Sequence, residues 1–190
     1  MPLTLKKVLF LSGCLLCLHA SWLPIKGLAS QILISHSWQQ TLAKNQPIKP
    51  WPWADTYPIA VLVFERINKN IVVLNGGDPT TLAFSAGAVA PFNQPMATKP
   101  FVVAGHRDSH FSFLEDVVMN DIISLADKHG RSELYQVEAI DIVDANTGQL
   151  PVLADDTTLV LITCYPFKTF NANTHSGDKG ERYVITARKL

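Results

Sequence analysis

Leu159-Val160-Leu161-Ile162-Thr163-Cys164-Tyr165-Pro166-Phe167 is an unbroken apolar run that ends in a thiol and is stopped by a proline. A run this short, rich in branched residues and bounded by Pro166, predicts a strand over 158–163 rather than a helix. Cys164, at its end, is one of three cysteines; the other two, Cys14 and Cys17, lie in an apolar stretch at the N-terminus. If that stretch carries the rest of the chain across a membrane, Cys164 enters a compartment where thiols are oxidised, with no intramolecular partner. A lone thiol in such a place is either buried and inert or kept for its chemistry.

Working outward, the texture around this strand is repeated. Short β-prone runs at 59–64, 71–74, 101–104, 134–143 and 182–187 also read as strands, with turns at Asn75-Gly76-Gly77-Asp78-Pro79 and Asn146-Thr147-Gly148. One helical turn is expected over 113–119. Many short strands without long alternating helices predict an all-β, closed or sandwiched architecture. The roughly 135 residues of this region suffice for a proper core.

The N-terminal part reads differently. Lys6 and Lys7 precede an uncharged run over 8–25 that ends at Lys26. Its length approaches the roughly 17–25 residues that span a bilayer. No small-x-small cleavage site follows, which favours a retained anchor, and the paired lysines place the N-terminus in the cytoplasm. Leu11-Ser12-Gly13-Cys14 also matches a lipoprotein cleavage pattern, but the apolar core before it is very short. Over 27–43, Leu28, Ile32, Leu33, Ile34, Trp38 and Leu42 predict a helix that lies along the membrane, packs on the folded domain or simply extends the anchor. Three prolines in Pro47-Ile48-Lys49-Pro50-Trp51-Pro52-Trp53 predict an extended connector. The organisation expected is a membrane anchor over 1–26, a helix and Pro/Trp-rich connector over 27–54, and a β domain over 55–190. Net charge is zero with no basic run, which argues against nucleic acid as a partner.

Three polar groups stand at strand ends in the β region. His106 follows Phe101-Val102-Val103-Ala104-Gly105, Cys164 ends its strand, and Arg182 opens the last one. Strand ends beside loops are rigidly held yet face clefts. A thiol, an imidazole and a guanidinium suit acyl transfer through a covalent intermediate. On residue chemistry alone, a buried structural cysteine, a structural histidine and a solvated arginine explain the same residues, and both readings stay open.

Ala104-Gly105-His106-Arg107-Asp108-Ser109-His110-Phe111 resembles the histidine motif of the sortases, cysteine transpeptidases of bacterial surfaces. The strand ending Ile162-Thr163-Cys164 resembles their Thr-x-Thr-Cys signature, and Glu181-Arg182-Tyr183-Val184-Ile185 their arginine strand, in the family's order. Lys49-Pro50-Trp51-Pro52-Trp53-Ala54-Asp55 and Cys164-Tyr165-Pro166-Phe167 look most like the branch found in Gram-negative proteobacteria. The resemblance implies a closed eight-stranded β-barrel with short helices, preceded by a membrane helix. It implies Cys164 as nucleophile, His106 as general acid/base and Arg182 as stabiliser of substrate and oxyanion. Thr163, Tyr165, Asp108 and His110 become candidates for substrate binding; the loops over 144–158 and 165–181 would border the groove, and Asn171, Asn173, His175 and Asp178 would tune selectivity. The partners implied are a secreted protein bearing an LPXTG-like sorting signal and an amine acceptor, met at the outer side of the inner membrane. No cofactor or metal is implied; Asp155-Asp156 alone is thin support for calcium. Pro91-Phe92-Asn93-Gln94-Pro95-Met96-Ala97-Thr98-Lys99-Pro100 departs from the family's usual lead into the histidine strand, which leaves the groove wall and the preferred motif unassigned. The competing readings are a peptidase that only hydrolyses the same signal and a non-catalytic membrane-anchored β scaffold.

Overall fold

In a computed structural model of the chain, the residues described are 3–97, 99–147, 158–167 and 180–190. Side chains of residues 3–5 and 22–24 are outside that description. The loop residues Asp155, Asp156, Asn171, Asn173, His175 and Asp178, and most of both loops expected to border a groove, also lie outside it.

Eight strands close into a barrel: β1 (Pro58–Phe64), β2 (Lys69–Asn75), β3 (Ala86–Ala88), β4 (Phe101–Ala104), β5 (Ile122–Asp127), β6 (Ser132–Asp144), β7 (Thr158–Cys164) and β8 (Glu181–Lys189). Around the barrel the order is β1-β2-β3-β4-β7-β8-β6-β5. Pairs β2–β3 and β4–β7 are parallel and the rest antiparallel. Closure leaves no free edge. It also puts β4 and β7 side by side although more than fifty residues separate them.

Side chains alternate across each strand. Phe101 and Val103, Leu159 and Leu161, and Ile185 and Ala187 point inward and join Leu62, Phe111, Leu114 and Leu125 in the core. Val102, Val160 and Val184 take the alternate positions and are equally buried, in a second apolar cluster on the outside of the barrel. Burial on both faces is why β7 reads as a continuous apolar run instead of an alternating one.

Two strands fall where no strand was expected. β3 is Ala86-Gly87-Ala88, too short and too small in its side chains to show a period. It is built for closeness, since a Cβ on Gly87 would stand 2.0 Å from the Gly76 carbonyl oxygen. β5 carries Ser124 and Ala126 between Ile123, Leu125 and the barrel edge, and six such residues do not separate strand from helix by pattern. In the expected turn Asn75-Gly76-Gly77-Asp78-Pro79, the last two residues begin a helix, α2 (Pro79–Phe84). Asp78 caps it, accepting from the Thr80 and Thr81 backbone N–H groups, with proline in the first turn. The helical turn expected over 113–119 is a 3-10 helix at Ser112–Asp116.

The β5–β6 hairpin is held by one buried carboxylate. Asp127 accepts from the backbone N–H groups of His129 (2.9 Å) and Arg131 (3.0 Å) and from Arg131 Nε (2.7 Å). Burial opposes the charge, but Arg131 and these N–H donors outweigh it and hold the carboxyl below its ordinary value. A lowered folded pKa stabilises the fold above the unfolded carboxylate's pKa and ceases to do so as pH falls through the folded value. Asp127→Asn should therefore cost about 1–3 kcal/mol at neutral pH. In thermal melts the gap from the wild type should close below about pH 4.

The N-terminal helix α1 (Leu3–Lys44) is continuous, so the expected second helix extends the first. Among the described residues it is the helix long and apolar enough to cross a membrane. Its C-terminal half docks on the barrel through Ser30, Ile34, Ser37 and Thr41, spaced on one helical face and buried. Gln31 Nε2 donates to the Phe84 carbonyl (2.5 Å), the Ser37 hydroxyl donates to the Ile48 carbonyl, and Ile48 N–H donates to Thr41 Oγ1 (3.1 Å). The prolyl connector is thereby tied back along the helix, and the barrel is fixed relative to the apolar segment.

Candidate active site

β4, β7 and β8 lie side by side, and their register brings the three strand-end groups together. In the antiparallel pair β7–β8, Cys164 stands directly opposite Arg182. In the parallel pair β4–β7, Ala104 is level with Ile162. Two residues beyond that pair, just past the end of β4, comes His106, and two residues along β7 comes Cys164. The ladder continues past the end of β4, since Gly105 N–H donates to the Ile162 carbonyl (3.1 Å). His106, Cys164 and Arg182 thus make a row across the ends of adjacent strands, with the Cys164 and Arg182 backbones about 5 Å apart. Cys164 and Arg182 take the outward parity of Val160 and Val184. Cys164 and Arg182 are half-buried and His106 is exposed.

Each member of the row is supported from behind. The Phe111 ring packs beneath Gly105, where a Cβ would come within 2.7 Å of Phe111 Cγ. Phe111 N–H donates to the His106 carbonyl (2.9 Å), closing the turn that ends β4. Thr163 is buried and faces inward, on the opposite side of β7 from Cys164, and its hydroxyl donates to the Gly105 carbonyl (2.8 Å). The structure therefore keeps Thr163 out of the outward row and makes it a tie between the cysteine strand and the histidine turn. Thr163→Val should cost about 1 kcal/mol in thermal stability, with Thr163→Ser close to wild type. Arg182 Nη1 donates to the Glu181 carbonyl (3.0 Å), and Tyr165 N–H donates to the same oxygen (3.1 Å), so the segment after Cys164 is stitched to β8.

The other expected site residues are less centrally placed. Tyr165 stacks on Tyr183 (centroids 6.3 Å, planes 14° apart), and Phe167 meets Tyr183 edge-on at 4.9 Å. This aromatic group borders the cysteine end of β7. Burial, then the neighbouring Tyr165, raises the Tyr183 phenol above its ordinary value, so it stays neutral. His110 is half-buried, with Nε2 3.4 Å from the Ala83 carbonyl oxygen. Its burial, together with repulsion from His106, pushes its pKa below the ordinary histidine value against the pull of that carbonyl. Asp108 is exposed in the turn after His106.

The sequence reading missed the floor beside the row. Val102, Val160 and Val184, with Ile162, Val143, Val89 and Phe92 packed on them, form an apolar strip along the outer face of β4, β7 and β8. Phe92 is held over it because Val102 N–H donates to the Phe92 carbonyl and Phe92 N–H to the Val89 carbonyl, both at 2.9 Å. The segment around Pro91-Phe92, which departs from the family's usual lead, therefore supplies a wall. The signal was present in the alternate positions of β7, which are apolar too.

A model of the sortase domain matches residues 62–190, well over half the chain. The chain belongs to the sortase family. Among curated proteins it is similar to Sortase D of Bacillus subtilis (strain 168), 25% identical over 131 residues, covering 68% of this chain. The chain spans 63% of that relative's length. Among solved structures, Sortase A from Corynebacterium diphtheriae superposes with a TM-score of 0.61 at 23% identity, covering 73% of this chain and 63% of that one. A Clostridium perfringens Sortase D5 transpeptidase gives a TM-score of 0.61 at 16% identity, covering 85% and 98%. At these identities the structures speak for the fold: the eight-stranded barrel is the sortase fold. Sortases are cysteine transpeptidases that act on proteins bearing sorting signals and on amine nucleophiles. The relatives named come from Gram-positive bacteria, so the Gram-negative affinity of the sequence motifs is a matter for proposal.

Proposed function

We propose that this sortase is a membrane-anchored transpeptidase. It cleaves an LPXTG-like C-terminal sorting signal through a thioester at Cys164 and transfers the acyl group to an amine. The observation that carries this reading is the meeting of His106, just past the end of β4, with the Cys164 end of β7, where Cys164 stands opposite Arg182.

The row accounts for each step. The Cys164 thiolate attacks the carbonyl carbon of the scissile amide, and negative charge collects on the carbonyl oxygen. The Arg182 guanidinium, directly opposite, stabilises that oxyanion. His106 as imidazolium gives its proton to the leaving amine, the C–N bond breaks, and a thioester remains. An incoming amine then attacks the thioester while neutral His106 takes its proton, and the thiolate leaves. Arg182 beside the sulfur also favours thiolate over thiol. The partly exposed rim of the apolar strip, Ile162 and Phe92, suits the apolar residues of the signal, with Tyr165, Asp108 and His110 as further candidates for its contacts. Thr163 holds the histidine turn in register.

The helix α1 would act as the anchor, with the barrel on the extracytoplasmic side of the inner membrane. Its Lys49–Asp55 and Cys164–Phe167 motifs support placement in the proteobacterial branch. Incubation of the full chain with a sorting-signal peptide, with and without an amine acceptor, tests the reaction by mass spectrometry. The peptide–acceptor conjugate is expected. Hydrolysis alone, whatever the acceptor concentration, would leave a peptidase; no cleavage, with Cys164 inert to a peptide vinyl sulfone, would leave a scaffold.

A further inference from the structure

A cavity of about 510 Å³ whose lining shares no residue with the catalytic row lies between α1, the Pro/Trp connector and α2. Leu33, Trp51 and Phe84 form its apolar wall, and Trp51 meets Phe84 edge-on at 4.9 Å. Lys26, Asp55 and Asp78 add charge to the lining, and Trp53, 80% exposed, stands at the mouth. The residues from α1 recur at helical spacing from Lys26 to Leu33, which spans about 10 Å along the axis.

Lys26 is the first charge after the apolar run, so the cavity opens where α1 leaves the hydrocarbon. The headgroup layer there is about 5–8 Å deep on each side of a bilayer. Beyond Lys26, Leu28 and Ile32 remain 69% and 70% exposed on α1. Apolar side chains and an exposed tryptophan at one level are what the interfacial layer takes up, and a lysine beside them reaches to the phosphates. The cavity thus lies at the same level along α1 as the apolar surface that the anchor presents to lipid, and docking of Ser30, Ile34 and Ser37 on the barrel fixes its depth.

Its charges select among lipids. Asp78 is occupied by its cap bonds to Thr80 and Thr81, and those bonds keep it ionised. The side chains of Lys26 and Asp55 make no hydrogen bond or ion pair among the described residues. One cation and two carboxylates give the cavity a net negative charge, which disfavours an anionic headgroup. They match a headgroup that carries a phosphate and an ammonium together.

We propose that this cavity binds the headgroup end of a zwitterionic phospholipid from the outer leaflet. Lys26 meets the phosphate, Asp55 meets the ammonium, and the upper acyl chain lies against Leu33, Trp51 and Phe84. The proposal rests on the anchoring of α1 proposed above and is independent of the chemistry at Cys164.

The test uses the full chain in nanodiscs of equal phosphatidylethanolamine and phosphatidylglycerol, released into native mass spectrometry. One phosphatidylethanolamine should be retained about fivefold over phosphatidylglycerol, an advantage the size of an exposed charge contact. Asp55→Asn should bring the two lipids close to parity, Lys26→Gln should lower retention of both, and Leu33→Trp, which fills the cavity, should abolish it. Wild-type thermal melts in each variant exclude unfolding as the cause. Retention of no lipid, or equal retention in every variant, would overturn the proposal. Alkaline carbonate extraction separates the two readings. Release of the protein would overturn the anchoring and the lipid site with it, whereas resistance without a retained lipid would overturn the lipid site alone.

Discussion

Cys164→Ala is expected to lower cleavage of a sorting-signal peptide by at least about 10⁴-fold, because in the proposed reaction the thioester forms on its sulfur. Labelling by a vinyl sulfone peptide should vanish with it. The fold should survive: Cys164 is the last residue of β7, half-buried and outside the core, and loses one sulfur atom. Arg182→Lys provides the graded companion. Lysine keeps the positive charge but not the planar fork that can bind a carbonyl oxygen and a second acceptor at once. The expected loss is about 10²–10³-fold, carried by kcat, since the oxyanion exists only in the transition state. A Cys164→Ala variant that still cleaves the peptide would remove the cysteine from the reaction. An Arg182→Lys variant altered only in KM would make the arginine a binding group.

The largest stability effect is expected at a residue with no chemistry at all. Gly87→Ala would drive a methyl group to within 2.0 Å of the Gly76 carbonyl oxygen, and Leu82 Cδ2 already stands 3.1 Å from the same point. A flexible side chain can move aside, but the Gly76 backbone cannot do so cheaply. It is fixed by the bond from Gly76 N–H to the Ala88 carbonyl (3.2 Å) and by the parallel pairing of Leu74 with Gly87. Overpacking against side chains costs about 1–3 kcal/mol, and a backbone collision belongs at or above the top of that range. A fall in melting temperature of roughly 10 °C is the outcome to look for in the detergent-solubilised chain. An unchanged melting temperature would mean that β2 and β3 can separate without loss. At Gly130, by contrast, a Cβ meets nothing and only the φ of +76° resists substitution, so Gly130→Ala should be milder.

Legibility differed by element for physical reasons. β7 and the middle of β8 announce themselves because apolar and β-branched residues fill both faces where the strand is buried on both sides. β3 leaves no trace, since its part is to be small between two backbones, and smallness has no period. β5 hides for a related reason, with Ser124 and Ala126 thinning its pattern. Thr163 shows the limit for site residues. Its place beside Cys164 made it a candidate for lining the cleft, but neighbours along a strand face opposite sides, and it turns into the core to bind the Gly105 carbonyl. Phe92 was the reverse case. It stood in a segment that departs from the family pattern, yet backbone bonds fold it over the outer apolar strip.

The chain's local chemistry was enough to single out three candidate groups at strand ends, the β character of the domain and an apolar N-terminal helix. Each rests on residue type and short-range pattern, which a linear text carries in full. Whether His106, Cys164 and Arg182 meet could not be read that way, because the first two stand 58 positions apart in the chain. That depends on the parallel pairing of β4 with β7 and on the register in which barrel closure holds it. The same closure turned Thr163 inward, gave the outer face of β7 its cover, and set α1 against the barrel so that a cavity opens at the edge of its apolar run.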